Sequence, residues 1–370
     1  MLDAAISWVA RKLHDAEQWL VDEMLVGWNP ASVPNLYGKV AVITGANSGI
    51  GYETTRKLAE NGAEVYMVVR NMDKGQSAVE QLRKELGPVK LHLLQADMES
   101  MSQVQSLLAE LRGVRPDILL HNAGILYPGP FRLTEEGLEP TLAISYYSGV
   151  LLALGLLDQM KPRSRVIFMA SAGEWPMSRL EGSFSNMRGD KFTASGARAY
   201  GQAKAFAIMF ARELAERVKH RGIDVFAVQP GVVFTPGVLK GDLKTYPHAA
   251  LFVAGAKLLG QTPYHGAWSA IYACTEPKLT GKGSGYFGPN LLNMWHATER
   301  QPGTKQARNP YWCWRVYEET VKILSEIVGT KAMPPVPRHP DPARDVMMEK
   351  KSPPSEIDKG RAVHATATAA

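Results

Sequence analysis

Cysteine is scarce: Cys274 and Cys313 are the only two among 370 residues. That excludes a disulfide framework and a cysteine-rich metal centre, and makes a reducing compartment the simpler expectation. The nine histidines show no His-Glu-x-x-His or comparable ligand spacing, so no metal is expected. Concentrated positive charge is lacking as well. The net charge is +6, but residues 331–370 carry seven Lys/Arg and five Asp/Glu, leaving +4 over the other 330 residues. Without a dense basic stripe, nucleic acid is not an expected partner. Long uncharged runs are nearly absent too. The run at 140–157 falls short of a comfortable membrane span and lies between two expected strands, so it reads as a buried or partner-facing helix. The 45% hydrophobic content is enough for a sizeable core.

Residues 1–28 place Ile6, Val9, Leu13, Ala16 and Leu20 at helical steps, with Asp3, Arg11, Lys12, Asp15 and Glu17 between them. This is an amphipathic helix without the basic start and uncharged centre of a signal peptide. Its polar face carries nearly as much acid as base, which favours packing on the domain's own surface. The alternative is peripheral membrane contact, with Trp8, Trp19 and Trp28 near a lipid boundary. The expected location is cytoplasmic, or peripherally membrane-associated facing the cytosol.

From residue 40 onward, strands are expected at 40–44, 64–69, 90–95, 117–121, 165–170 and 223–228, with helical patterns between them. This alternation implies an α/β fold with a doubly wound, mostly parallel sheet and helices on both faces. A last strand is expected within 283–288. Beyond Met333, seven prolines and a final Ala-Thr-Ala-Thr-Ala-Ala leave little apolar periodicity, so residues 331–370 read as a disordered tail.

The first strand runs into Thr44-Gly45-Ala46-Asn47-Ser48-Gly49-Ile50-Gly51. Glycines between a strand and a helix let a pyrophosphate approach the main chain at the positive end of the helix dipole. The spacing Gly-x-x-x-Gly-x-Gly departs from the common dinucleotide fingerprint, so the turn by itself does not decide the family. Further motifs stand at later strand ends: His121-Asn122-Ala123-Gly124, Ser171, Tyr200-Gly201-Gln202-Ala203-Lys204 and Pro230-Gly231-Val232-Val233-Phe234-Thr235. Ligands in open α/β sheets bind at carboxyl ends of strands, and Tyr200 and Lys204 share one helical face.

Taken together, these motifs resemble the short-chain dehydrogenase/reductase superfamily from about residue 37 to about residue 328. Arg70-Asn71, the segment 283–287 and the long interval between Ser171 and Tyr200 look most like the retinol dehydrogenase and WW-domain oxidoreductase branch, although no WW domain is visible. The resemblance implies a single Rossmann-type domain over 37–330, preceded by the helix and linker of 1–36. It implies Tyr200 as general acid/base, Ser171 as hydrogen-bond partner of the substrate oxygen, and Lys204 as support for the phenolate and the nicotinamide ribose. Gly45, Asn47, Ser48, Gly49, Ile50, Gly51, Asp97, Asn122, Ala123, Gly124, Pro230, Gly231, Val233 and Thr235 would then contact the cofactor, along with Tyr200 and Lys204.

Cofactor choice turns on the end of the second strand, where Val69-Arg70-Asn71 supplies a cation suited to a 2′-phosphate. NADP(H) is therefore expected. The implied substrate is a lipophilic carbonyl or alcohol, retinoid-, steroid-, aliphatic- or polyketide-like. One departure stands out: the family's helix asparagine, which orders water toward the lysine, is Ser145 here, and the glycine three residues on is Ser148. Ser145 is thus a candidate relay residue, and its presence admits a second expectation, an NADP(H)-binding redox sensor or scaffold without turnover. The oligomeric state is left open.

Overall fold

The computed structural model describes residues 28–126, 130–174, 186–192, 196–233, 261–289 and 297–351. Residues 1–27 of the amphipathic stretch expected at 1–28, and residues 352–370, lie outside them. Eight strands form one sheet: β1 (Val40–Thr44), β2 (Glu64–Val69), β3 (Leu91–Gln95), β4 (Ile118–His121), β5 (Arg165–Met169), β6 (Asp224–Val228), β7 (Ser284–Gly288) and β8 (Thr298–Glu299). Their spatial order is β3-β2-β1-β4-β5-β6-β7-β8, parallel throughout except for the antiparallel β7–β8 pair. The order reverses between β1 and β4, which opens the crevice where such sheets bind ligands.

Strand side chains alternate between two cores, so both faces must be covered. Val42, Val166, Phe168, Val225 and Ala227 enter one core, while Ala41, Ile43, Ile167, Met169, Phe226 and Val228 enter the other. The second core is capped by α1 (Gly49–Glu60), α2 (Met72–Leu86) and α6 (Pro263–Thr275). The first is covered by α3 (Met101–Glu110), α4 (Pro140–Gln159), α5 (Gly196–Val218) and α7 (Pro310–Val328). Helix starts carry their own signals: Asn71 accepts from the Lys74 N–H, and Thr262 and Asn309 each cap a helix that opens on proline.

α4 is the helix anticipated from the uncharged run. By length and composition it is apolar enough to cross a membrane, yet 89% of its most apolar window is buried inside the fold. Its apolar character is explained by the core it fills. A π-helical turn at Ala143–Tyr147 interrupts it.

The expectation of a structureless segment beyond residue 331 is corrected over 331–351. Pro342–Lys350 forms a final helix, α8, with Asp341 as its cap. Arg344 makes two hydrogen bonds to the Glu213 carboxylate, at 2.8 and 2.9 Å. Asp345 accepts from Trp314 Nε1 at 3.0 Å and from Arg217 at 3.1 Å, and Arg217 also reaches the Pro337 carbonyl. Met348 is buried. The segment docks mainly by charge onto α5 and α7, which an apolar-periodicity argument does not detect.

Candidate active site

The glycine turn is built as the sequence demanded. Gly45 and Gly49 both adopt positive φ, at 65° and 57°, a conformation that costs glycine little. A Cβ at Gly51 would lie 2.3 Å from the Gly45 carbonyl oxygen, so this turn closes only without a side chain. Ser48 caps α1 without a side-chain hydrogen bond, which leaves the helix's opening N–H groups directed at the space that an anion would fill.

β4 is stitched to this turn. Thr44 Oγ1 accepts from the Asn122 and Ala123 N–H groups at 3.1 and 2.9 Å, while Asn122 Nδ2 donates to the Thr44 carbonyl at 2.9 Å. Thr44 was not anticipated as a site residue; its signal was its place at the end of β1, directly before the glycines. At the other end of the crevice Arg70 is exposed, with Nη1 3.9 Å from Asp97 Oδ2. Asp97 also receives the Glu99 N–H at 3.0 Å. Arg70 and Asp97 thus stand together at the ends of β2 and β3.

Two elements bring the reactive side chains together. Ser171 lies two residues past the end of β5, and its Oγ accepts the Gly173 N–H at 3.1 Å. Tyr200 and Lys204 come from the first turns of α5, with the ammonium 5.5 Å from the phenol ring centroid. Lys204 is buried, and its Nζ donates one hydrogen bond, 2.7 Å long, to the Met169 carbonyl. An ammonium has three donors, so two directions are left for ligand hydroxyls. Burial draws the lysine pKa from 10.5 to about 7. The Tyr200 phenol is pushed above its ordinary value by burial, partly offset by a hydrogen bond with Ser171.

His121 lies beneath this group. Its Nε2 is 3.1 Å from Ser148 Oγ, which itself donates to the Ile144 carbonyl at 2.9 Å, so Nε2 is the donor. Burial and then the Lys204 charge lower its pKa to about 3, so it stays neutral beside the lysine. The imidazole needs Gly149: a Cβ there would sit 2.1 Å from His121 Cδ2.

Ser145 sits on the π-helical turn of α4. Its Oγ accepts the Ile125 N–H at 3.1 Å and faces the Ile125 carbonyl at 3.4 Å, so the hydroxyl clasps the loop after β4. Gly124 separates it from Lys204: a Cβ on Gly124 would lie 3.1 Å from Lys204 Nζ and 3.4 Å from Ser145 Oγ. After β6, Pro230 and Gly231 reach the same edge, but the Val233 side chain turns away to pack where Gly266 of α6 makes room. Thr235 lies outside the described residues.

This arrangement fits a nicotinamide dinucleotide: a phosphate cradle that a Cβ would fill, a cation at the adenosine end, and a buried lysine with donors to spare beside a phenol and a hydroxyl. Among the described residues no cluster of metal-ligating side chains is found.

Comparison with known proteins agrees. A family model described as Enoyl-(Acyl carrier protein) reductase matches residues 45–250. Retinol dehydrogenase 11 of Mus musculus is 30% identical over 258 residues, covering 68% of this chain and 78% of that protein. WW domain-containing oxidoreductase of Drosophila melanogaster is 31% identical over 301 residues, covering 79% and 70% respectively. A crystal structure from Mycobacterium Paratuberculosis superimposes with a TM-score of 0.63 at 25% identity, covering 84% of this chain and all of that one.

Proposed function

Because the chain belongs to the short-chain dehydrogenase/reductase superfamily, on its retinol dehydrogenase-like branch, we propose that it interconverts a carbonyl and an alcohol on a lipophilic small molecule with NADP(H). As a member of that superfamily it is an oxidoreductase using a nicotinamide cofactor. The observation that carries the finer reading is the convergence of Ser171, Tyr200 and the buried Lys204 at the carboxyl edge of the sheet.

The glycine turn and the first N–H groups of α1 would hold the pyrophosphate, Arg70 the 2′-phosphate, and Lys204 the nicotinamide ribose. Bound there, the nicotinamide supplies or accepts the hydride. Proton traffic belongs to the protein. In the reductive direction the Tyr200 phenol gives its proton to the substrate oxygen as that oxygen gains negative charge. The Ser171 hydroxyl, oriented by the Gly173 N–H, donates a hydrogen bond to the same oxygen. The Lys204 cation lowers the energy of the resulting phenolate.

A lipophilic substrate is supported by exposed Phe131, Leu133 and Val232, all on loops leaving the carboxyl ends of β4 and β6. Retinol, the alcohol in the name of one relative, has the same character. The test is loss of NADPH absorbance when purified protein meets a panel of retinal-like, steroid, aliphatic and polyketide carbonyls. Turnover of at least one is expected.

One observation favours a second reading, an NADP(H)-binding sensor or scaffold. The Ser145 hydroxyl is committed to the Ile125 backbone, so the position that would relay protons to Lys204 serves a loop instead. Tight NADPH binding with silence across the panel would select that reading.

A further inference from the structure

The loop that carries Ser171 is anchored from an unexpected quarter. Glu174, three residues on, is 2% exposed, and its N–H closes a turn onto the Ser171 carbonyl at 3.1 Å. Its carboxylate receives the Gly303 N–H at 2.5 Å and the Thr304 N–H at 3.0 Å. The Thr304 hydroxyl lies against the same carboxylate and 3.0 Å from the Glu174 carbonyl. A buried carboxylate is tolerated when its lone pairs are met in this way.

The partner turn is itself held. Arg308 Nε donates to the Pro302 carbonyl at 2.5 Å, and the Ala307 N–H returns to the Thr304 carbonyl at 3.1 Å. Just before it, the Arg300 N–H donates to the Tyr286 carbonyl of β7 at 2.7 Å. Tyr286 is buried within electrostatic reach of both Glu174 and Tyr200. Segment 297–309 is thus fixed to β7 on one side and to the serine turn on the other, and Glu174 is the joint.

We infer that Glu174 is a positioning residue for the acid/base pair: by tying the Ser171–Glu174 turn to the Gly303–Thr304 turn, it holds Ser171 Oγ between the Gly173 N–H and the Tyr200 phenol. The inference rests on the reading of Ser171 and Tyr200 as that pair. Its chemistry is specific. While no substrate is bound, the one Ser171 O–H is directed to the Tyr200 oxygen and stabilises the phenolate, so a serine turn that drifts lets the Tyr200 pKa rise.

The test is the phenolate absorbance of full-length protein against pH, with and without saturating NADP+, each trace corrected by the same variant carrying Tyr200→Phe. A charge-assisted hydrogen bond is worth about one pH unit or slightly more. Glu174→Ala is expected to move the Tyr200 titration upward by about one unit. Thr304→Val, which keeps the backbone donors, is expected to move it by less, with Thr304→Ser returning it to the wild-type position. With a competent carbonyl substrate, Glu174→Ala is expected to lower kcat about tenfold, move the alkaline limb of kcat/KM, which reports the substrate-free enzyme, upward, and leave NADPH affinity within about twofold. Should Glu174→Ala fail to fold, the Thr304 pair decides. A Tyr200 titration unmoved in folded variants, with only the melting temperature falling, overturns the inference. Silence of the wild type toward every carbonyl would instead count against the proposed activity, since the titration needs no turnover.

Discussion

Replacing Lys204 by methionine removes the buried ammonium on which the site depends. Lys204 is 2% exposed, its Nζ has one hydrogen bond to the Met169 carbonyl, and burial lowers its pKa from 10.5 to about 7. Between those two values the unfolded chain holds a proton that the folded protein has released. Folding stability therefore rises with pH across that window, by up to about 1.4 kcal/mol per pH unit. Below about pH 7 both states are protonated, and the folded apoprotein bears the whole cost of the buried charge, about 5 kcal/mol by the same conversion. Methionine removes that cost, but it leaves the Met169 carbonyl without its donor, a loss of about 1–3 kcal/mol. The apo Lys204→Met variant is expected to be more stable than wild type by about 2–4 kcal/mol at pH 6, with the advantage gone by about pH 9. Urea unfolding of both proteins across that range gives the difference, because the titrating groups away from Lys204 cancel and His121 is held neutral mainly by its own burial. A difference that does not change with pH, or a variant less stable at pH 6, would refute the reasoning.

Arg70→Asp is expected to weaken NADPH binding about tenfold or more relative to NADH, since it replaces a charge-assisted phosphate contact with repulsion; equal effects in a titration of both cofactors would remove Arg70 from the 2′-phosphate. Deleting residues 334–370 takes away Arg344 and Asp345, leaving the buried Glu213–Arg217 pair short of partners. It is expected to cost about 3 kcal/mol and roughly 5 °C in melting temperature, and an unchanged melting curve would show that α8 adds nothing. Gly149→Ala drives a methyl into the His121 ring. It is expected to cost roughly 1–3 kcal/mol in urea unfolding and to weaken NADPH binding through the adjoining Asn122–Gly124 loop; wild-type values for both would mean that the imidazole swings aside freely.

The central strands were legible because burial on two faces forces continuous apolar runs, as in Val40-Ala41-Val42-Ile43 and Val166-Ile167-Phe168-Met169. The glycine turn and the Tyr200–Lys204 spacing were legible because backbone geometry and helical repeat restrict which residues serve there. Strand ends moved by about one residue, and β8 escaped notice because two residues hold no pattern. α8 was missed for a different reason: Arg344, Asp345 and Arg217 hold it through partners more than a hundred positions apart or on other helices. Glu174 shows the same limit. A glutamate three residues past a serine has no local signature, and its meaning comes only from Gly303 and Thr304 folding back onto it. Ser145 was legible as a departure, but its clasp on Ile125 depends on the π-helical turn that the sequence does not announce.

The most direct test of the proposed catalysis is a comparison of wild type with Tyr200→Phe, measuring NADPH affinity and carbonyl turnover on the same preparations. The phenylalanine keeps the ring on α5 and removes only the proton donor. The account predicts NADPH binding nearly unchanged and kcat lower by about a hundredfold or more, the scale of a lost general acid. A wild-type rate indistinguishable from that of Tyr200→Phe, with both proteins binding NADPH, would contradict it.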